Sequence, residues 1–150
     1  MNSEQSVGSE HYKRNWLTLR NIPRKPGEKY LTRFVIFRCS KFGVYIHKFW
    51  QSDYAVCHDH PWDFFSIPLT TGYREHFKDG TSIWRGAFSF AFRRAEDFHW
   101  VELEKGPAWT FFVHFKKTKE WGFLTNDGWV DNDTYTKKLK EEEEKRTCPS

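Results

Sequence analysis

The chain has 150 residues, 19% of them aromatic and 29% charged, with a formal net charge of +4. That length makes one domain with enough interior to fold without staples, and so mild a charge admits an anionic ligand without demanding one. The polar opening Met1-Asn2-Ser3-Glu4-Gln5-Ser6 reads as neither a signal peptide nor a membrane span, and Cys39, Cys57 and Cys148 read as reduced thiols of a cytoplasmic protein, not as a disulfide framework.

Residues 1–11, rich in Ser, Glu, Gln and Gly, read as a disordered N-terminal tail. After them come short β-forming runs. Tyr30 to Arg38 (YLTRFVIFR) and Phe42 to Trp50 (FGVYIHKFW) are the first two. Phe64 to Leu69 follows, interrupted by Pro68, and Tyr73 to Phe77 alternates after the turn Thr71-Gly72. Lys78-Asp79-Gly80-Thr81 is a hairpin signal. Ser82 to Arg85, Phe88 to Phe92, His99 to Leu103 and Ala108 to Phe115 continue the series, with Gly106-Pro107 as a turn. Trp121 to Leu124 and Trp129-Val130 flank a last hairpin turn, Asn126-Asp127-Gly128. No core segment keeps a helical period over three turns. The pattern predicts an all-β barrel or sandwich over residues 12–136, of about eight strands or more, with under about a quarter of the chain helical. Residues 137–150, a block of lysines running into Glu141 to Glu144, read as a charged C-terminal tail or frayed helix.

The chemistry concentrates in Cys57-His58-Asp59-His60-Pro61-Trp62. On a β-strand, residues two apart share a face, with about 7 Å between them at the backbone. Two imidazoles so placed suit one metal ion, each through a ~2.0–2.2 Å nitrogen–metal bond. His99, several strands later, can join them in a barrel with Greek-key connections.

Gly43, His58, His60, Leu69 and Gly72, followed by His99, resemble the two short motifs of the cupins over roughly residues 43–104. YLTRF, FGVYIHKF, HDHPWDF, GYREHF, FRRAEDFHWVEL, AWTFF and WGF…GWV extend the likeness to small bacterial and phage cupin-like proteins. The resemblance implies a jelly-roll (double-stranded β-helix) barrel with His58, His60 and His99 as metal ligands. Phe64 and Phe65 stand where a cupin usually carries its glutamate. Glu75 is the substitute, sharing strand parity with Tyr73, and both are candidate catalytic residues. A site of three histidines alone is the rival. Iron is the ion the resemblance favours, with zinc, manganese and nickel as alternatives.

Arg93 and Arg94, just before His99, are candidate clamps for a carboxylate or phosphate, and Trp62 is a candidate pocket wall. Asp59, facing away from its neighbours, either orients a ligand or caps the turn at Pro61. His11, His47 and His114 are expected in surface or core roles, His76, of opposite strand parity to Glu75, is not expected to be a ligand together with it, and Cys57 is expected as a packed thiol. The expected partner is a small molecule, with an anion favoured. No membrane or nucleic-acid role is expected, since no basic stripe appears, and a homodimer fits the resemblance. The functional expectation is a metalloenzyme acting on a small molecule, with iron-dependent oxygenase-type chemistry foremost and isomerisation or hydrolysis as variants. The alternative is a ligand-binding or sensing module of the same fold.

Overall fold

Alternation in the sequence becomes alternation of burial in the computed structural model, which describes residues 15–25 and 27–147. The expectations for residues 1–11 and Cys148 lie outside the described residues. The strands are β1 (Asn15–Ile22), β2 (Leu31–Arg38), β3 (Gly43–Phe49), β4 (Phe64–Pro68), β5 (Tyr73–Phe77), β6 (Ser82–Arg85), β7 (Ala91–Arg93), β8 (His99–Glu102), β9 (Ala108–His114), β10 (Gly122–Thr125) and β11 (Gly128–Asp131), followed by α1 (Asn132–Thr147). In β3, Gly43, Tyr45 and His47 face inward; in β4, Phe64, Ser66 and Pro68; in β5, Tyr73 and Glu75. One period-two rule thus gives both the core and the site residues.

The strands form an antiparallel six-stranded sheet, β1-β2-β3-β9-β4-β7, and a three-stranded sheet, β6-β5-β8, with the hairpin β10-β11 beside them. The insertion of β9 between β3 and β4 is the crossover that makes a jelly roll of these strands. The sheets do not close into one continuous ladder; a cavity between them is lined from both.

Two glycines make this packing feasible. Gly72 has a φ of 80° and sits so near the Arg85 carbonyl that a Cβ would collide with it, which fixes the turn into β5. A Cβ on Gly43 would meet Tyr45 Oη and His114 Nε2, so its absence admits their 2.9 Å hydrogen bond.

The charged block at residue 137 continues a helix that begins at Asn132. Asp131 Oδ1 caps it by accepting the Thr134 N–H at 3.0 Å, and Tyr135 stacks on Phe123 at 4.1 Å. Both anchors precede the charge block, which is why the block alone reads as a tail. No helix among the described residues is long and apolar enough to cross a membrane.

Candidate metal centre

The His58–His60 segment is not a regular strand. His58 forms isolated bridges to His99 and Phe123 from the loop between β3 and β4. Its extended geometry is imposed by neighbours, residue by residue. The His58 N–H donates to the His99 carbonyl at 2.9 Å, and the His99 N–H returns the bond at 3.1 Å. The His60 N–H donates to the Ala95 carbonyl at 3.0 Å. Asp59 turns the other way, 1% exposed, and its carboxylate accepts from the Gly122 N–H at 2.7 Å, from Trp129 Nε1 at 3.2 Å and from Lys119. Asp59 therefore ties the loop to the β10–β11 hairpin; it neither caps Pro61 nor touches a histidine ring.

With the backbone so held, one ligand atom from each of His58, His60 and His99 lies within 4.8 Å of the others. His60 Nε2 and His99 Nε2 are 2.8 Å apart. Two ~2.1 Å bonds meeting at a right angle would place their nitrogens about 3.0 Å apart, so the pair fits one ion. His58 Nδ1 is buried with no hydrogen-bond partner, a nitrogen left over by the fold. Burial, with the neighbouring histidines, pushes His60 well below the ordinary imidazole range; burial lowers His58 too, partly opposed by Asp53. Neutral imidazole is the form a metal requires. The donor set and the orphaned nitrogen fit a divalent ion.

Glu75 lies behind His99. Its Oε1 accepts His99 Nδ1–H at 2.7 Å and Arg93 Nε at 2.8 Å; its Oε2 accepts Arg85 Nε at 2.8 Å and Arg93 Nη2 at 2.5 Å. A carboxylate can only accept, so His99 Nδ1 carries the proton and Nε2 presents its lone pair to the centre. Burial opposes ionisation of Glu75, but the hydrogen bonds from His99 and Arg93 outweigh it, bringing the carboxyl to about 2. Register explains the meeting. Glu75 on β5 pairs with Val101 on β8, which puts His99 diagonally across on the same face.

A cavity of about 360 Å³ opens before the triad, at the small end of the range for small-molecule sites. Tyr73 and Trp62 line it. Tyr73 Oη is 3.1 Å from Ser66 Oγ, and burial pushes its hydroxyl up to about 12. Trp62 stacks on His114 at 4.2 Å. The arginines expected as substrate clamps sit elsewhere. Arg93 points inward from β7 but is held by Glu75, and Arg94, its side chain 71% exposed, is 4.0 Å from Glu96. Arg94 lies just past the end of β7, and neither arginine lines the cavity. His76 stacks on Trp100 at 3.9 Å and pairs with Glu102.

Sequence reasoning passed over Arg33, Asp53 and Arg85, and gave His47 only a surface or core role. Asp53 accepts from Tyr30 and from the Val101 N–H at 2.9 Å, and lies 4.0 Å from His58 Nε2. Its one signal was nearness to the histidine pair. The other three depend on cross-strand register, which no local motif records. A larger groove of about 610 Å³, lined also by residues of α1, shares Ile22, Tyr30, Asp53, His58 and Trp121 with the cavity.

No protein-family model matches the sequence, and no curated protein matches it. Solved structures do. The DMSP lyase DddQ from Ruegeria pomeroyi superposes with a TM-score of 0.54 at 11% identity, over 66% of this chain and 56% of that one. Fe(II)-HppE, crystallised with the alternative substrate (S)-1-HPP, gives 0.53 at 11%, over 69% and 56%. An uncharacterised protein with a double-stranded β-helix domain from Klebsiella pneumoniae gives 0.52 at 14%, over 66% and 88%. The match thus spans little more than half the length of the first two. The fold is a double-stranded β-helix.

Proposed function

We propose that this chain is a metal-dependent enzyme acting on a small molecule inside the barrel, with His58, His60 and His99 as its ligands. The observation that carries the reading is the facing pair His60 Nε2 and His99 Nε2, 2.8 Å apart, with Glu75 fixing the His99 tautomer from behind. Iron is the favoured ion, because HppE of the same fold is an Fe(II) protein and three neutral nitrogens suit ferrous iron. When bound, such an ion polarises an oxygen of a small molecule or supports its oxidation, and oxygenase-type chemistry is the first reaction class to test. Isomerisation and hydrolysis come next.

The chain's own residues divide the remaining work. Glu75 touches no part of the cavity and acts through His99, so it is a positioning residue; Arg85 and Arg93 hold it ionised. Tyr73, protonated at neutral pH, offers its hydroxyl to the cavity as a donor or acid. The walls Phe64, Phe112, Trp62 and Val101 exclude water from the reacting centre. The free thiols Cys39 and Cys57 support a cytoplasmic setting.

One observation favours the binding or sensing alternative. Of the carboxylates near the site, Glu75 is neutralised by two arginines and Asp53 is engaged by Tyr30 and a backbone N–H, so neither is a free base. Anaerobic loading with Fe(II), followed by dioxygen uptake across a panel of small organic acids, separates the two. Substrate-dependent uptake lost in His99→Ala supports the enzyme; tight ligand binding without turnover under any loaded metal supports the module.

A further inference from the structure

The cavity has a second wall, opposite in character to the triad. Register sets Arg33, His47 and Thr110 side by side across β2, β3 and β9. Arg33 Nε donates to His47 Nε2 at 2.9 Å. A guanidinium has only donors, so His47 Nε2 is the unprotonated nitrogen and its proton sits on Nδ1. That Nδ1–H is buried without a partner, and so are Thr110 Oγ1 and Trp62 Nε1. His47 is 2% exposed and Thr110 1%, and all three residues line the one cavity. An indole N–H and this imidazole N–H can only donate. Burying them unpaired is unfavourable, so a ligand that completes them must present acceptor atoms.

Charge narrows the ligand further. Arg33 also lines the cavity, and among the described residues it makes no ion pair with a carboxylate. Its guanidinium lies 4.9 Å from the Tyr45 ring centroid; burial acts on it most, the Tyr45 and Tyr30 hydroxyls favour its charge, and Arg38 and Arg20 oppose it. A half-buried cation beside two or three idle donors is a site for an oxyanion.

We propose that the Arg33–His47–Thr110 wall binds the carboxylate of a small carboxylic acid whose second oxygen function reaches the histidine triad. The carboxylate accepts from His47 Nδ1–H, from the Thr110 hydroxyl and from the terminal nitrogens of Arg33. The placing of the far end rests on the metal reading; the carboxylate wall does not. The anion-binding role expected of Arg93 and Arg94 passes to Arg33, which enters the cavity from β2 of the six-stranded sheet.

The test titrates metal-free protein with propanoate and with propanamide, following the His47 side-chain N–H signal by ¹⁵N-edited NMR. The wall predicts that the acid shifts that signal and binds at least about tenfold tighter than the amide. Thr110→Val and Arg33→Met should each remove most of that preference. Thr110→Val is nearly isosteric, so it serves if the buried arginine variant does not fold. In zinc-loaded protein, 3-hydroxypropanoate should bind tighter than propanoate, and the gain should vanish in His60→Ala. Equal binding of acid and amide, no saturable binding of the acid, or acid binding indifferent to Thr110→Val would overturn the wall. Failure to take up zinc would overturn the metal reading alone, since the acid–amide comparison needs no metal.

Discussion

Two groups of buried histidines share this barrel, and they differ in what holds their nitrogens. His47 and His114 project from the regular strands β3 and β9. Each is tied down by a partner, His47 by Arg33 Nε and His114 by the Tyr45 hydroxyl at 2.9 Å and the Phe115 carbonyl at 2.7 Å. His58, His60 and His99 come from a loop and a strand end, and their ring nitrogens face one another. Burial depresses the protonation of His47 and His114 and equally that of His58 and His60, so burial does not tell a ligand from a core residue. The difference lies in the opposing group. A nitrogen matched by a hydroxyl or a guanidinium is structural or ligand-reading, whereas nitrogens that converge need a third party.

The largest effect that separates the groups is on metal affinity. His60→Ala or His99→Ala should lower it by more than about a hundredfold in a chelator competition, exceeding what loss of a supporting residue does. His114→Gln should leave it unchanged while lowering the urea midpoint. If His114→Gln weakens metal binding as much as His60→Ala does, the two groups are not distinct.

Glu75→Gln comes next. An amide can turn its NH₂ toward His99 and upset the tautomer, so metal affinity should fall about 10–100-fold. The same change leaves Arg85 and Arg93 without their counter-charge, which should cost about 3 kcal/mol in a denaturant titration of metal-free protein. Loss of stability with no loss of affinity would make Glu75 purely structural.

A smaller effect comes from pH. Burial lowers His114 to about 4, against some help from the Phe115 carbonyl, and its unfolded value is near 6.5. Its folded-state value is depressed, so the unfolded chain takes up the proton first. The stabilisation is complete above about pH 6.5 and is lost as pH falls toward 4. Metal-free protein should lose about 2 kcal/mol from His114 between pH 7 and pH 5, with His47 adding in the same direction. In His114→Gln the slope over that range should shrink; an unchanged slope would remove His114 from the account.

The smallest effect is that of Tyr45→Phe, which deletes the hydroxyl facing His114. It should cost about 1 kcal/mol and leave metal affinity alone. Differential scanning calorimetry paired with the chelator assay reads both quantities, and any change in affinity would link the two groups.

Much of this was legible in the sequence, for physical reasons that differ by residue. The His-x-His spacing and the strand-like runs are local patterns, and so the β class and the triad could be read directly. Glu75 could be placed near the site because strand parity is local too. What could not be read depends on which strand lies beside which. Arg93 and Arg33 both sit on β-strands with similar neighbours in sequence, yet one meets Glu75 and the other faces the cavity. That outcome is set by the β4–β7 and β2–β3–β9 registers. The loop geometry of His58 was likewise hidden, since the extended backbone there comes from His99, Phe123 and Gly122 and not from a ladder of its own. The helix was legible only as a frayed alternative to a charged tail, because its anchors, Asp131 and Tyr135, lie outside the charged block.

The central claim is that His58, His60 and His99 hold one ion. Its most direct measurement is elemental analysis with X-ray absorption on protein purified without a chelating tag and then loaded with one divalent metal. The account predicts one ion per chain, with imidazole scatterers at about 2.0–2.2 Å, lost in His60→Ala and kept in His114→Gln. An ion retained by a variant lacking all three histidines, or no ion held by the intact chain, would contradict it.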